Sequence, residues 1–196
     1  ATGQFVVFES TASDLVANDT NNASDVFLRD LVAGTTTLVS VNTNGVIPGN
    51  FESSALSITP DGRYVLFASR ASNLAPGDAN NAVDLFVRDV VAGTTALVTR
   101  NSANTVSFAG RSVIWDGNRP ISDDGRWVAF HSAATDLVAG DTNAKLDVFA
   151  RDVQSSSTVK ISANTAGTGL GNGDSQNASM DATGRYVAFQ SAASNV

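Results

Sequence analysis

The chain has no cysteine, one methionine, one histidine and only two glutamates (Glu9 and Glu52) in 196 residues. Without cysteine there can be no disulfide and no thiolate metal site, and the redox compartment stays unassigned. With so little glutamate, a glycosidase-like carboxylate pair would have to be built from aspartate. Charged residues are scarce at 16%, and the balance is acidic, with a formal net charge of −7. An acidic surface attracts neither nucleic acid nor an anionic membrane, so neither is expected as a partner. No apolar run approaches membrane-spanning length, which argues against membrane insertion, and no signal peptide is visible. Ala1 is not an initiator methionine and Val196 falls inside a repeat, so both ends read as cut.

What the chain does have is apolar residues (42%) and aspartate, seventeen of its nineteen acidic residues. The first is enough for a folded core. The second fits turns and strand ends, where a short carboxylate can bond nearby backbone amides.

Repetition organises both. Asp19-Thr20-Asn21-Asn22-Ala23-Ser24-Asp25-Val26-Phe27-Leu28-Arg29-Asp30 recurs at Asp78–Asp89 and Asp141–Asp152. Each copy begins sixteen residues after a glycine, at Gly3, Gly62 and Gly125, and Gly184 opens a fourth copy that the chain does not finish. These glycines are 59, 63 and 59 residues apart. From each the chain runs Gly-[Gln/Arg]-aromatic-Val-x-Phe-x-Ser, a short aromatic and β-branched run that reads as a strand buried on both faces. The Asp-Asn loop follows, then strands expected at Asp25–Leu31, Asp84–Val90 and Asp147–Val153. Turns at Ala33-Gly34-Thr35 and Ala92-Gly93-Thr94 lead into threonine-rich strands, Thr36–Val41 and Thr95–Arg100. One more strand, such as Ser54–Thr59, closes the period. Four antiparallel strands per period and no helix predict an all-β chain of β-propeller blades. The expected divisions are a partial blade at 1–46, blades at 47–105 and 106–168, and a partial blade at 169–196.

The turn and strand Pro60-Asp61-Gly62-Arg63-Tyr64-Val65-Leu66-Phe67 resembles the Pro-Asp-Gly-x-x-[Ile/Val]-x-Phe core of the TolB-like, WD40-like (PD40-type) propeller repeats of bacteria. The copies ending at Phe130 and Phe189 lack the proline, and the last also lacks the aspartate. The resemblance covers the whole chain. It implies a ring of about six blades and export to the periplasm or cell exterior. Three periods fill half such a ring. Residues 1–15 and 182–196 are the same stretch of the repeat, so a homodimer by blade completion is expected, the strand near Ser175–Asp181 of one copy completing the first blade of the other. Unpaired strand edges and an open apolar face would drive it.

Candidate sites are fewer. The loop oxygens of Asp19, Asn21 and Asp25, of Asp78, Asn80 and Asp84, and of Asp141, Asn143 and Asp147 have the hard-donor chemistry that Ca²⁺ takes, without the glycine and glutamate of an EF-hand. The alternative is structural: the first aspartate caps a turn and the last anchors the next strand. The Arg-Asp pairs (Arg29-Asp30, Arg88-Asp89, Arg151-Asp152) point to opposite faces of a strand, and bonds from blade to blade are expected of them. The non-repeated insertion offers Arg111, Trp115, Asp116 and Arg119 for stacking and hydrogen bonding a sugar or peptide ligand, the alternative being that Trp115 fills a gap between blades. His131 stands where other copies carry Glu9, Ala68 or Gln190 and reads as strand-packed or solvated. The glycine-rich stretch Gly167–Gly173 does not match a phosphate cradle, because no helix follows it. No catalytic constellation emerges. The leading expectation is a binding or assembly module, with an exported Ca²⁺-dependent carbohydrate-binding or adhesive propeller and a propeller hydrolase or lyase as alternatives.

Overall fold

The computed structural model describes residues 3–78, 80–103 and 119–196. The described residues form twelve strands and no helix. The chain divides into two compact units, residues 1–97 and 98–196.

In the first unit β1 (Phe5–Ser10), β2 (Asp25–Asp30) and β3 (Thr35–Leu38) form one antiparallel sheet. β4 (Ser53–Ile58), β5 (Tyr64–Ser69), β6 (Asp84–Asp89) and β7 (Thr94–Leu97) form a complete meander in the order β4-β5-β6-β7. In the second unit β8 (Trp127–Ser132), β9 (Asp147–Asp152) and β10 (Ser157–Lys160) pair in sequence. β11 (Ser175–Met180) pairs with β12 (Val187–Ser191). These are the strands the repeat predicts, each within a residue or a few of its expected ends.

The registers repeat too. Phe8 lies opposite Phe27, Phe67 opposite Phe86 and Phe130 opposite Phe149. The ring centroids of these pairs are 5.7, 5.5 and 5.9 Å apart, within the range where aromatic pairs add to simple burial. Within the first unit, Val26, Leu28 and Val39 of one sheet pack on Val65, Phe67, Phe86 and Leu97 of the next. Fully burying a side chain of that size is worth about 1.5–3 kcal/mol, so this face-to-face contact dominates the stability of the unit.

Sheets are also tied by backbone hydrogen bonds at fixed repeat positions. Thr43 N–H donates to Asn73 C=O at 2.9 Å and Thr165 N–H to Asn195 C=O at 2.7 Å. Ser53 N–H donates to Ser24 C=O and Ser175 N–H to Leu146 C=O, both at 2.7 Å. The turn glycines complete the interlock. A Cβ on Gly62 would meet the Phe5 ring at 2.5 Å, and one on Gly184 would meet Trp127 at 2.6 Å. Both have positive φ (76° and 74°), so glycine is needed there for conformation and for close approach.

Candidate functional site

The Asp-Asn loops are built from turn chemistry. The Asn21 side-chain oxygen accepts from the Ala23 amide at 2.9 Å, while its Nδ2 donates to Asp25 and to Gly49 C=O, both at 2.8 Å. Asn143 repeats this with Lys145, Asp147 and Gly171. One asparagine thus closes its own loop and reaches the glycine segment that leads into the next sheet. Asp25, fully buried, accepts from Ser40 Oγ at 2.6 Å, and Ser40 Oγ in turn accepts from Val26 N–H. Asp147 does the same with Ser162 at 2.8 Å. Asp84 and Thr99 occupy the corresponding buried positions.

Burial raises the pKa of Asp25 and Asp147 above the ordinary value, against the lowering hydrogen bonds from serine and asparagine. Asp19 and Asp141 are raised in the same way, and each is pulled back by the backbone amide of Asn21 or Asn143. One oxygen of Asp141, Oδ1, is buried without a hydrogen-bond partner. The aspartate and asparagine groups therefore converge mainly on protein donors. Among the described residues no group of three or more acidic or histidine side chains is placed to hold a metal.

The Arg-Asp pairs depart from the expected blade-to-blade bonding. Asp89 pairs with Arg63 at 2.8 Å and Asp152 with Arg126 at 2.7 Å, each within one sheet. The reason is register: the residue before each second strand lies beside the end of the third. Arg63 and Arg126 also lie over the neighbouring Tyr64 and Trp127 rings. The strand arginines turn the other way, and Arg29, Arg88 and Arg151 donate to Thr36, Thr95 and Thr158 at 3.0–3.1 Å.

Of the insertion residues, Arg111, Trp115 and Asp116 lie outside the described residues. Arg119 forms an ion pair with Asp123, so its charge is engaged close by in sequence. His131 is buried in β8 opposite Val148. The glycine-rich stretch is packed rather than cradling: a Cβ on Gly171 would meet Val196 at 2.7 Å, and one on Gly173 the Ala192 backbone at 2.8 Å.

Two features were not singled out from the sequence. One is a largely apolar groove of about 540 Å³ in the second unit, lined by Trp127, Val159, Ile161, Val187 and Phe189, with Thr183 and Arg185 also lining it. The other is a pair of cavities of mixed lining beside Arg88 and Arg151, one in each unit. Both features arise between sheets, and the repeat pattern alone does not display contacts between sheets.

Comparison with solved structures finds a putative TolB from Agrobacterium tumefaciens, with a TM-score of 0.52 and 18% identity, over 99% of this chain and 52% of that one. The fold is that of a TolB-like β-propeller. TolB from Acinetobacter baumannii is also similar, with a TM-score of 0.46 and 15% identity, over 97% of this chain and 41% of that one. The tricorn protease matches with a TM-score of 0.52 and 13% identity, over 96% of this chain and 14% of that one. The propeller described here thus spans about half the length of the TolB structures it matches. No protein-family model and no curated protein matches the chain. At these identities the likeness concerns the fold, and activity has to be argued from the residues.

Proposed function

We propose that the chain is a non-catalytic binding and assembly module, a propeller segment that recruits a second copy of itself, working in the periplasm or at the cell exterior. The observation that carries this reading is the apolar groove of the second unit. Its walls, Ile161 on one side and Val187 and Phe189 on the other, stand at the repeat positions of Val39, Val65 and Phe67. In the first unit those residues share one core with Phe86 and Leu97, from the third and fourth strands of a blade. The groove therefore stands at the repeat position where, in the first unit, the outer half of a blade packs.

The β1-β2-β3 sheet carries matching residues, with Phe27 at the position of Phe86 and Leu38 at that of Leu97. Val6 on the same face is 42% exposed. A second copy that brings this sheet to the groove repeats a contact the protein already makes with itself. β1 and β12 are the same strand of the repeat, so one of the two yields its place when the copies join. Covering apolar surface and pairing free strand edges both favour the step.

Light scattering behind size exclusion tests it. The expected mass is twice the 20.2 kDa of the chain, and Val159→Glu, a charge placed in the groove at a 40% exposed site, returns the protein to a monomer. A wild type that stays monomeric across concentrations and melts cooperatively would overturn self-assembly. The competing calcium-dependent adhesive reading is separated by chelation. If EDTA lowers the melting temperature and Ca²⁺ restores it, that reading gains.

A further inference from the structure

β1 and β12 are one strand of the repeat written twice, and the chain holds the two copies differently. Phe5, Val6, Val7 and Phe8 stand at the repeat positions of Tyr186, Val187, Ala188 and Phe189. The hairpin that contains β12 is fixed at both ends within its own unit. At its turn, Asp181 accepts from the Thr183 hydroxyl at 2.6 Å and from the Tyr186 amide at 2.7 Å, and Gly184 lies against the Trp127 ring. Beyond the strand, Asn195 C=O accepts from Thr165 N–H at 2.7 Å and Asn195 Oδ1 from Asn172 N–H at 2.8 Å. The flanks of β1 have less to hold them. A Cβ on Gly3 would meet nothing within 4 Å. Leu15, at the repeat position of the buried Leu74 and Leu137, is 37% exposed.

Charge makes the same division. The arginine before the second strand pairs with the aspartate that ends the third, Arg63 with Asp89 and Arg126 with Asp152. Arg185 holds that arginine position in the last sheet, which has only β11 and β12 and so no third strand. Its guanidinium lies 5.1 Å from the Tyr186 ring centroid, and among the described residues it forms no ion pair. Asp30 holds the aspartate position in the first sheet, and there the arginine is replaced by Gln4, whose Nε2 donates to the carboxylate at 3.2 and 3.3 Å. One half of the repeated ion pair is left over beside β12 and the other half at the end of β2.

We propose that self-association is a strand exchange: β12 of one copy displaces β1 from β2 of the other, and Arg185 of the first pairs with Asp30 of the second. The exchange rests on the self-association proposed for the chain and names its contact. In the register of β5 on β6, Tyr186 falls opposite Asp30 and Phe189 opposite Phe27, which restores the aromatic pair of the other blades. Losing β1 and gaining β12 leaves the backbone pairing of β2 alike, so side chains decide the direction. A neutral amide donor to Asp30 gives way to a charge-assisted bond, and no anchor of the β11-β12 hairpin is broken. β12 also keeps Val187 and Phe189 in place as one wall of the groove. The opposite exchange, with β12 displaced, would remove that wall and leave Arg185 without its aspartate.

The dimer dissociation constant of full-length variants, measured by analytical ultracentrifugation over a range of concentrations, tests the exchange. Arg185→Gln and Asp30→Asn should each weaken the dimer, by up to about fivefold for a partly exposed ion pair, and the double variant should be no weaker than either single one. Asparagine keeps an oxygen for the Val32 and Ala33 amides that Asp30 accepts at 2.8 and 3.0 Å, so the turn after β2 survives. Gln4→Arg separates the two directions. It gives β1 the arginine of the other copies, each chain then pairs its own Asp30, and the dimer should weaken because the resident strand is harder to displace. A dissociation constant that is unchanged or lowered by Gln4→Arg, or additive losses in the double variant, would overturn the exchange and leave self-association standing. A wild type that is monomeric at every concentration would overturn self-association itself, and the exchange with it.

Discussion

At the scale of single residues, the chain solves one backbone problem the same way in two loops and differently in the third. Asn22, Asn81 and Ala144 share a repeat position and have φ of 54°, 55° and 54°. Asparagine visits this left-handed region readily, whereas alanine pays about 1–2 kcal/mol for its Cβ. Ala144→Asn is therefore expected to stabilise the protein by about 1 kcal/mol, read as a higher urea midpoint at unchanged m. A lower midpoint would mean that this loop is held by something other than its backbone preference. The same loops show where residue-level reading of the sequence runs out. Asp and Asn at fixed spacing are the chemistry of a calcium loop and of an Asx turn alike. Which one forms depends on where the Asn21 and Asn143 amides point, and both point at a neighbouring aspartate and a glycine carbonyl.

At the scale of the element, the glycine opening each second strand serves two purposes that substitution can separate. Gly3 and Gly62 both have positive φ (69° and 76°), but a Cβ on Gly3 meets nothing within 4 Å while one on Gly62 strikes the Phe5 ring. Gly3→Ala is expected to cost about 1 kcal/mol, the conformational term alone. Gly62→Ala should cost roughly 2–4 kcal/mol, because overpacking adds to it. Equal losses in chemical denaturation would show that the close approach to Phe5 carries no weight. The glycines, the aromatic strands after them and the hairpins at Gly34 and Gly93 were all legible, since repetition separates signal from local accident. The partners of the strand charges were not. Arg63 and Asp89 are 26 residues apart, and only the register of β5 on β6 brings them together. The cavities beside Arg88 and Arg151 were invisible for a related reason: each needs residues from the loop that ends the preceding blade, Asn42 and Thr43 in one and Asn101 and Ser102 in the other.

At the scale of the whole molecule, carboxylates of opposite tendency shape the response to acid. Burial raises the folded-state pKa of Asp19, Asp25, Asp141 and Asp147 above 3.8. Over the range between 3.8 and those raised values the folded state holds more protons than the unfolded one, so stability falls as pH rises through it. Asp152 and Asp181 behave oppositely, each held down to about 2, the first chiefly by the Arg126 guanidinium and the second by the Thr183 hydroxyl. Their stabilisation is present above 3.8 and is lost as pH falls from there toward 2. The two limbs meet near the ordinary carboxylate value of 3.8, so the stability maximum lies there and not at neutral pH. Melting temperatures from pH 2 to 8 should trace that maximum. Asp152→Asn, by removing the proton that Arg126 resists, should make the acid limb shallower and leave the limb above it unchanged. A melting temperature that climbs steadily from pH 4 to pH 8 would mean that the buried loop aspartates are not the raised groups their burial makes them.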